Sequence, residues 1–532
     1  MTIGINQLDL TQPKQGGILK TGSGLGTTIG RASDKLAFLG RDGIGQRERI
    51  FLPIGQIHSA GAKAGATAGW VAGAAANLNQ WTLPASQTAS TLTVPIGALN
   101  VGDKIIGFGP IGQIESGGNA VTFDATLRSL AVAAADPTDT SLAALTQISV
   151  TGDAAMSYAA HGKKNIDVTV ERNKTYYVLI TSTTGASTDV ALQGVYVLVQ
   201  RNRAEEVYRT FTVRPKNGAT AGWTANAAVN THVNTMAASQ TAGTLVYPLA
   251  GLPVGTVIKG VALLGQVESA GGAVSISAAL YKMTPAAADN VATLLKDFPT
   301  LSLAADTALD ATNAGITMLN SGQSYTVAAG EVYYVLITAT TAASTDIQLL
   351  GIEALIAPPM NESRRLNSFN GKPGATAGWS ALVASGGNDQ WHYSLPASQT
   401  GSTLVIPVNG LNVGDTLTQF WPVGQIESAG GAVTVDVELR KLTAAAADLV
   451  DAAIAGITQI AVSADTEMGA AHAKSGLFDD VAGADETYYF LVTATTAAAT
   501  GISLLGIAIV VEPAVDEALA DLLTKFGLAA AA

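Results

Sequence analysis

The chain has no cysteine among its 532 residues, which excludes disulfides, zinc–thiolate sites, thiol nucleophiles and iron–sulfur ligation together. Stability has to come from packing and assembly, as suits a protein folded in a reducing cytoplasm. Charge is scarce as well: Asp, Glu, Lys and Arg make up 13% of the chain, against an ordinary share of ~25%. Aromatics supply only 6%. Such a surface is neutral and small-featured, and suits flat, repeated packing better than ligand capture. No stretch approaches the ~18 uninterrupted apolar residues of a membrane-spanning helix; the most apolar, 443–462, is broken by Asp448 and Asp451. A soluble protein without membrane insertion is expected. Asn6, Gln7, Asp9 and Gln12 interrupt any secretory apolar run at the N-terminus.

What the chain has in abundance is repetition. Gly-Ala-Thr-Ala-Gly-Trp ends at Trp70, Trp223 and Trp379. Ser-Gln-Thr recurs from Ser86, Ser239 and Ser398, and Gly-Gln-(Ile/Val)-Glu-Ser from Gly112, Gly265 and Gly424. An Ala-Ala-Ala-Asp turn ends at Asp136, Asp289 and Asp448, and a Tyr-Tyr pair opens an apolar run at Tyr176, Tyr333 and Tyr488. Five ordered markers in three copies leave no room for chance. A period of roughly 155 residues is too long for a solenoid or propeller unit, so each copy reads as a whole domain with its own core, beads rather than a stack.

Within a copy, short β-rich runs alternate with Gly, Pro, Asn and Asp punctuation. The first copy predicts strands near 90–96, 104–115, 120–130, 145–151, 166–171, 175–183 and 188–199. Val121-Thr-Phe123-Asp-Ala125-Thr-Leu127-Arg alternates with period two, as a half-buried strand does. An Ala-rich stretch near 131–145, 286–297 and 444–456 reads instead as a helical crossover. The expectation is an all-β protein: three tandem β-sandwiches, jelly-roll or immunoglobulin-like, over 65–200, 215–357 and 372–512.

Residues 1–64 read as an extended anchoring arm outside the repeat. Eight basic residues, among them Arg41, Arg47 and Arg49, against four acids give the arm a balance of +4, so that a chain of net charge −12 leaves −16 for the rest. The segments 200–217 and 357–373 read as basic linkers. A polar, Gly-rich arm has too few large apolar residues to fold alone, so it is expected to order on a partner. Pro53-Ile-Gly-Gln-Ile-His-Ser echoes Pro110-Ile-Gly-Gln-Ile-Glu-Ser, which is either a strand beside its likeness or coincidence. Over 513–532, Val515, Leu519, Leu522 and Phe526 form one apolar stripe of a short helix, open to packing or to assembly.

Nothing converges as an active site would. His58, His161, His232, His392 and His472 fall at mostly unmatched positions and read as surface loop residues, without the clustered ligands of a metal site. Glu115, Glu268 and Glu427 are carboxylates held in register three times; they read as strand-end residues before a tight hairpin, since neighbouring acids show no repeat. Asp189 and Asp346 share Ser-Thr-Asp before the last strand and read as turn residues. Trp70, Trp223 and Trp379 read as core or seam rings, the alternative being exposed aromatic binding platforms, for which Trp81, Trp391 and Trp421 are further candidates. No catalytic residue, cofactor or metal is expected, and acidic domains make nucleic acid an improbable partner.

The phrases Leu83-Pro-Ala-Ser-Gln-Thr-Ala-Ser-Thr-Leu, Gly112-Gln-Ile-Glu-Ser and Tyr333-Tyr-Val-Leu-Ile-Thr-Ala-Thr-Thr-Ala-Ala-Ser-Thr-Asp resemble repeated β-domains of tailed-bacteriophage virion proteins. The resemblance covers 65–511. It implies a head decoration or fibre, or a tail fibre or spike: non-enzymatic, homotrimeric, anchored to other virion proteins through its arm, able to meet a host-surface glycan, and assembled in the bacterial cytoplasm. The alternative is a bacterial surface adhesin or carbohydrate-binding array.

Overall fold

The computed structural model describes 17–20, 26–32, 35–39 and 47–53 as backbone strands. It also describes 63–512 apart from 73–79, 98, 135, 201–205, 213–214, 226–230, 250, 287–289, 311–322, 329, 359–363, 369–371, 382–391, 409–410, 412–414, 446–448, 476–477 and 479–485. The protein is almost wholly β. None of its described helices is long and apolar enough to cross a membrane.

Each repeat is a sandwich of two antiparallel sheets. In the first domain a long sheet is built on Lys104–Ser116 and Thr188–Gln200, and a short sheet on Val121–Ala131 and Lys174–Thr184. Trp81–Leu83 flanks the long sheet on one side, with Ala154–Met156 and Lys163–Thr169 end to end on the other. Ser90–Ile96 flanks the short sheet, opposite Thr138–Ala144 and Ile148–Val150. Followed along the chain, the strands visit long, short, long, short, short, long, short, long. That order, with Thr188–Gln200 lying between Trp81–Leu83 and Lys104–Ser116, the first and third strands along this path, is the double Greek key of a jelly roll, which decides between the two sandwich types expected.

The alternation read from the sequence is physical. Val121, Phe123, Ala125 and Leu127 are buried, while Thr122, Asp124, Thr126 and Arg128 face outward. The same pattern returns at Val274–Thr284 and Val433–Thr443. Trp70, Trp223 and Trp379 close the three cores, each indole N–H donating to a backbone carbonyl of Ser90, Gly243 or Ser402 at 3.2 Å.

Four expectations are corrected. The Ala-rich stretches are not helical: Thr138–Ala144, Val291–Asp297 and Val450–Gly456 are exposed edge strands, because the open edge of the neighbouring 11-residue strand supplies the hydrogen bonds an isolated helix would make internally. The basic linkers are not free connectors. Val207–Phe211 and Arg364–Ser368 pair antiparallel with the last strands of the second and third domains. Arg47–Pro53 pairs in the same way with Thr188–Gln200, so this part of the supposed arm is an added strand of the first domain's long sheet. Upstream, Gly17–Lys20, Gly26–Ala32 and Lys35–Leu39 make a separate three-stranded antiparallel sheet instead of an extended lead.

Finally, the domains are not beads. Leu130 and Tyr177 on the short sheet of the first domain pack with Leu264 and Leu350 on the long sheet of the second and with Val233 just before its strand Asn234–Met236. Val246, Met283 and Tyr334 on the short sheet of the second pack with Trp421, Val423 and Leu505 on the long sheet of the third. Ala444 of the third packs against Ile111 and Tyr196 on the long sheet of the first, and Arg47–Pro53 runs alongside Glu486–Thr496 of the third. Short sheet meets the next long sheet three times, and the ring closes with an internal pseudo-threefold.

Candidate functional site

The chemistry-bearing residues gather at these seams. In the Tyr-Tyr pair, successive side chains of a strand point to opposite faces. The first ring of each pair, Tyr176, Tyr333 and Tyr488, lies in its own domain's core. The second, Tyr177, Tyr334 and Tyr489, lies on the outer face of the short sheet and is buried. One repeated dipeptide therefore serves both the core and the seam.

Each seam then differs in detail. Tyr177 donates to Asp139 at 2.7 Å, and Asp139 holds Arg128 at 2.8 Å. Burial, reinforced by Asp139, pushes the Tyr177 phenol well above its ordinary value. The third domain repeats this arrangement with Tyr489, Asp451 and Arg440. In the second, Tyr281 replaces the arginine and stacks on Tyr334, ring centroids 5.4 Å apart. The first-to-second seam also carries ions. Arg172 of the first domain reaches Glu353 of the second at 2.7 Å and lies over the Tyr208 ring at 3.7 Å, while Asn173 donates to Asp310 at 3.2 Å.

Sequence reading placed several residues wrongly. Trp81 is 7% exposed within the first core, and Trp421 is 5% exposed within the second-to-third seam. Neither offers an exposed aromatic face, because each flat ring fills space between packed elements. His232 is no surface loop residue: it is buried in the first-to-second seam, edge-on to Tyr177 at 5.2 Å. Trp391, Arg41, the side chains of Arg47 and Arg49, and Val515, Leu519, Leu522 and Phe526 with the whole of 513–532 lie outside the described residues. So does the echo beyond Pro53; Pro53 itself pairs with Gly194, not with the strand it echoes.

The repeated glutamates do end their strands, but they have company. Asp189 and Asp346 are strand residues, directly opposite Glu115 and Glu268. Burial and the facing glutamate raise the pKa of both aspartates, and Asp136 of the first domain adds to the effect at Asp346. A repeated acid went unnoticed in the sequence. Asp153, Asp306 and Asp465 each accept the backbone N–H of Ser116, Ser269 or Ser428 at 2.8 Å, tying the hairpin to a neighbouring strand. Their spacing matches that of the glutamates, which was the signal available. Among the described residues, no group of three or more His, Asp or Glu is placed to hold a metal.

No family model and no curated protein matches the chain. Among solved structures, the chain is similar to the N-terminal CBM22-1-CBM22-2 tandem domain of Xyn10C from Paenibacillus barcinonensis, at 10% identity, over 59% of this chain and 98% of that one, with a TM-score of 0.20. That score is too low for the likeness to bear on function.

Proposed function

We propose that this chain is a non-enzymatic structural protein of a virion, a head- or tail-attached decoration or spike component. The observation that carries this reading is the ring: the outer faces of all six sheets hold buried residues at seams or facing them. Asp153, Asp306 and Asp465 serve hairpins, and the Tyr–Asp–Arg groups and the Arg172–Glu353 pair serve seams. Among the described residues, what is left outward is edge strands, hairpin tips and acidic surface, the outside of a closed block suited to covering or capping. Because one chain already holds three like sandwiches about a pseudo-threefold, its resting unit in this reading is a monomer, and the homotrimer implied by the resemblance is unnecessary. Anchoring falls to residues 1–46. The burial of Trp81 and Trp421 removes two of the three aromatics on which a glycan-binding reading would rest.

Mass photometry of the purified chain, together with antibody labelling of particles from its source, tests this. A 53.9 kDa species and label at one discrete place on the particle are expected. Absence of the protein from purified particles would overturn the reading.

A further inference from the structure

The three seams repeat one geometry but are not equally built. The residue before the glycine that pairs with Ile111, Leu264 or Val423 occupies an equivalent place on each long sheet. It is Leu350 in the first-to-second seam and Leu505 in the second-to-third, and both join the apolar seam clusters. In the third-to-first seam it is Gln193, fully buried, with neither Oε1 nor Nε2 hydrogen-bonded. A buried amide without partners forfeits its hydration and receives nothing in return. Each seam also buries a neighbouring glutamine, Gln113, Gln266 or Gln425, and Gln266 in the first-to-second seam is likewise without a hydrogen bond at either amide atom. What sets the third-to-first seam apart is Gln193, an additional buried glutamine where the other two seams carry leucine.

Two further observations point to the same seam. Among the described residues, the apolar contact between Ile111, Tyr196 and Ala444 is smaller than the Trp421 and Tyr334 cluster of the second-to-third seam, and it lacks the Arg172–Glu353 pair that reinforces the first-to-second seam. The first-to-second and second-to-third seams also join domains consecutive in the chain. The third-to-first seam joins domains at opposite ends of it, so opening there stretches no connection.

We infer that the third-to-first seam is where the ring opens, and that its two faces then receive a second copy of this chain. The contact is heterologous, short sheet onto long sheet. An opened chain therefore presents the short sheet of its third domain, with Leu442 and Tyr489, and the long sheet of its first, with Ile111 and Tyr196. Each face is complementary to the other face of another copy, in the manner of a domain swap that closes as a dimer or extends head to tail.

Two measurements on the full-length chain test this. Leu130, Met283 and Leu442 are equivalent, buried short-sheet residues, one in each seam, and the cysteine-free background lets a single introduced thiol report opening. Leu442→Cys should react with a thiol reagent about tenfold faster than Leu130→Cys or Met283→Cys, and adding Gln193→Leu should slow it about tenfold while leaving the other two unchanged. Unlabelled and isotopically labelled chains, mixed at high concentration and examined by native mass spectrometry, should form mixed dimers that Gln193→Leu suppresses to a similar degree. Equal thiol rates at the three seams, absence of mixed dimers, or mixed dimers indifferent to Gln193→Leu would overturn the proposal.

Discussion

Arg172 and Glu353 lie 181 residues apart in the chain, yet they meet at 2.7 Å across the first seam, the glutamate side chain 1% exposed and the arginine 38%. The equivalent of Glu353 is Tyr196 in the first domain and Ala508 in the third, so this ion pair belongs to one seam only. It tells the second domain which neighbour to take, a use of charge for order more than for strength.

Removing one partner should therefore cost more than removing both. Arg172→Ala leaves a buried carboxylate uncompensated and is expected to destabilise the chain by about 2 kcal/mol, less than a fully buried pair because the arginine is partly wet. Arg172→Ala combined with Glu353→Ala, the residue found at Ala508, should recover part of that loss. A double-mutant cycle by urea unfolding reads the difference, and a double variant less stable than Arg172→Ala would refute the argument.

Asp346 faces Glu268 across the long sheet and has a buried, unpaired Oδ1. Its raised pKa means that the fold favours the protonated form, so ionisation at neutral pH works against stability. Asp346→Asn should stabilise the protein at pH 7 by about 0.5 kcal/mol. The sign follows from linkage: the advantage is present above the carboxylate range and fades as pH falls through it, where the aspartate is itself neutral. Thermal melts at pH 7 and near pH 4 compare the two; a gain that grows on acidification would contradict it.

Gly265 owes its place to a carbonyl. A Cβ there would sit 2.3 Å from the oxygen of Gln348 on the adjacent strand, and at Gly112 and Gly424 it would meet Ala191 and Ser503 at 2.2 and 2.3 Å. Gly265→Ala is expected to cost about 2 kcal/mol, since a backbone atom cannot turn aside as a side chain can. Denaturant midpoints measure the loss, and an unchanged midpoint would show that the bulge between Leu264 and Gly265 yields.

Truncation separates the arm from the first domain. Among the described residues, deleting 1–39 removes only the separate small sheet, and it should leave the melting temperature of the ring intact. Deleting 1–53 also removes the strand paired with Gly194–Gln200, and should lower it by several degrees, since its backbone partners lose a ladder of hydrogen bonds. Calorimetry of both proteins decides; equal melting temperatures would return Arg47–Pro53 to the arm.

The β class, the threefold repeat and the position of nearly every long strand were legible in the residues alone, because period-two alternation and turn residues are local consequences of backbone geometry. The strand expected at 104–115 spans Lys104–Ser116, and that expected at 188–199 spans Thr188–Gln200. The sequence was silent on what lies beyond a strand's own neighbourhood. Thr138–Ala144 is a strand because an open sheet edge was waiting for it, and Arg47–Pro53, Val207–Phe211 and Arg364–Ser368 are strands for the same reason. Above all, the closed ring belongs to tertiary structure. The outward side of Tyr177, Tyr334 and Tyr489 reads in sequence like any solvent-facing strand position, and only the arrival of another domain's sheet turns it into an interior.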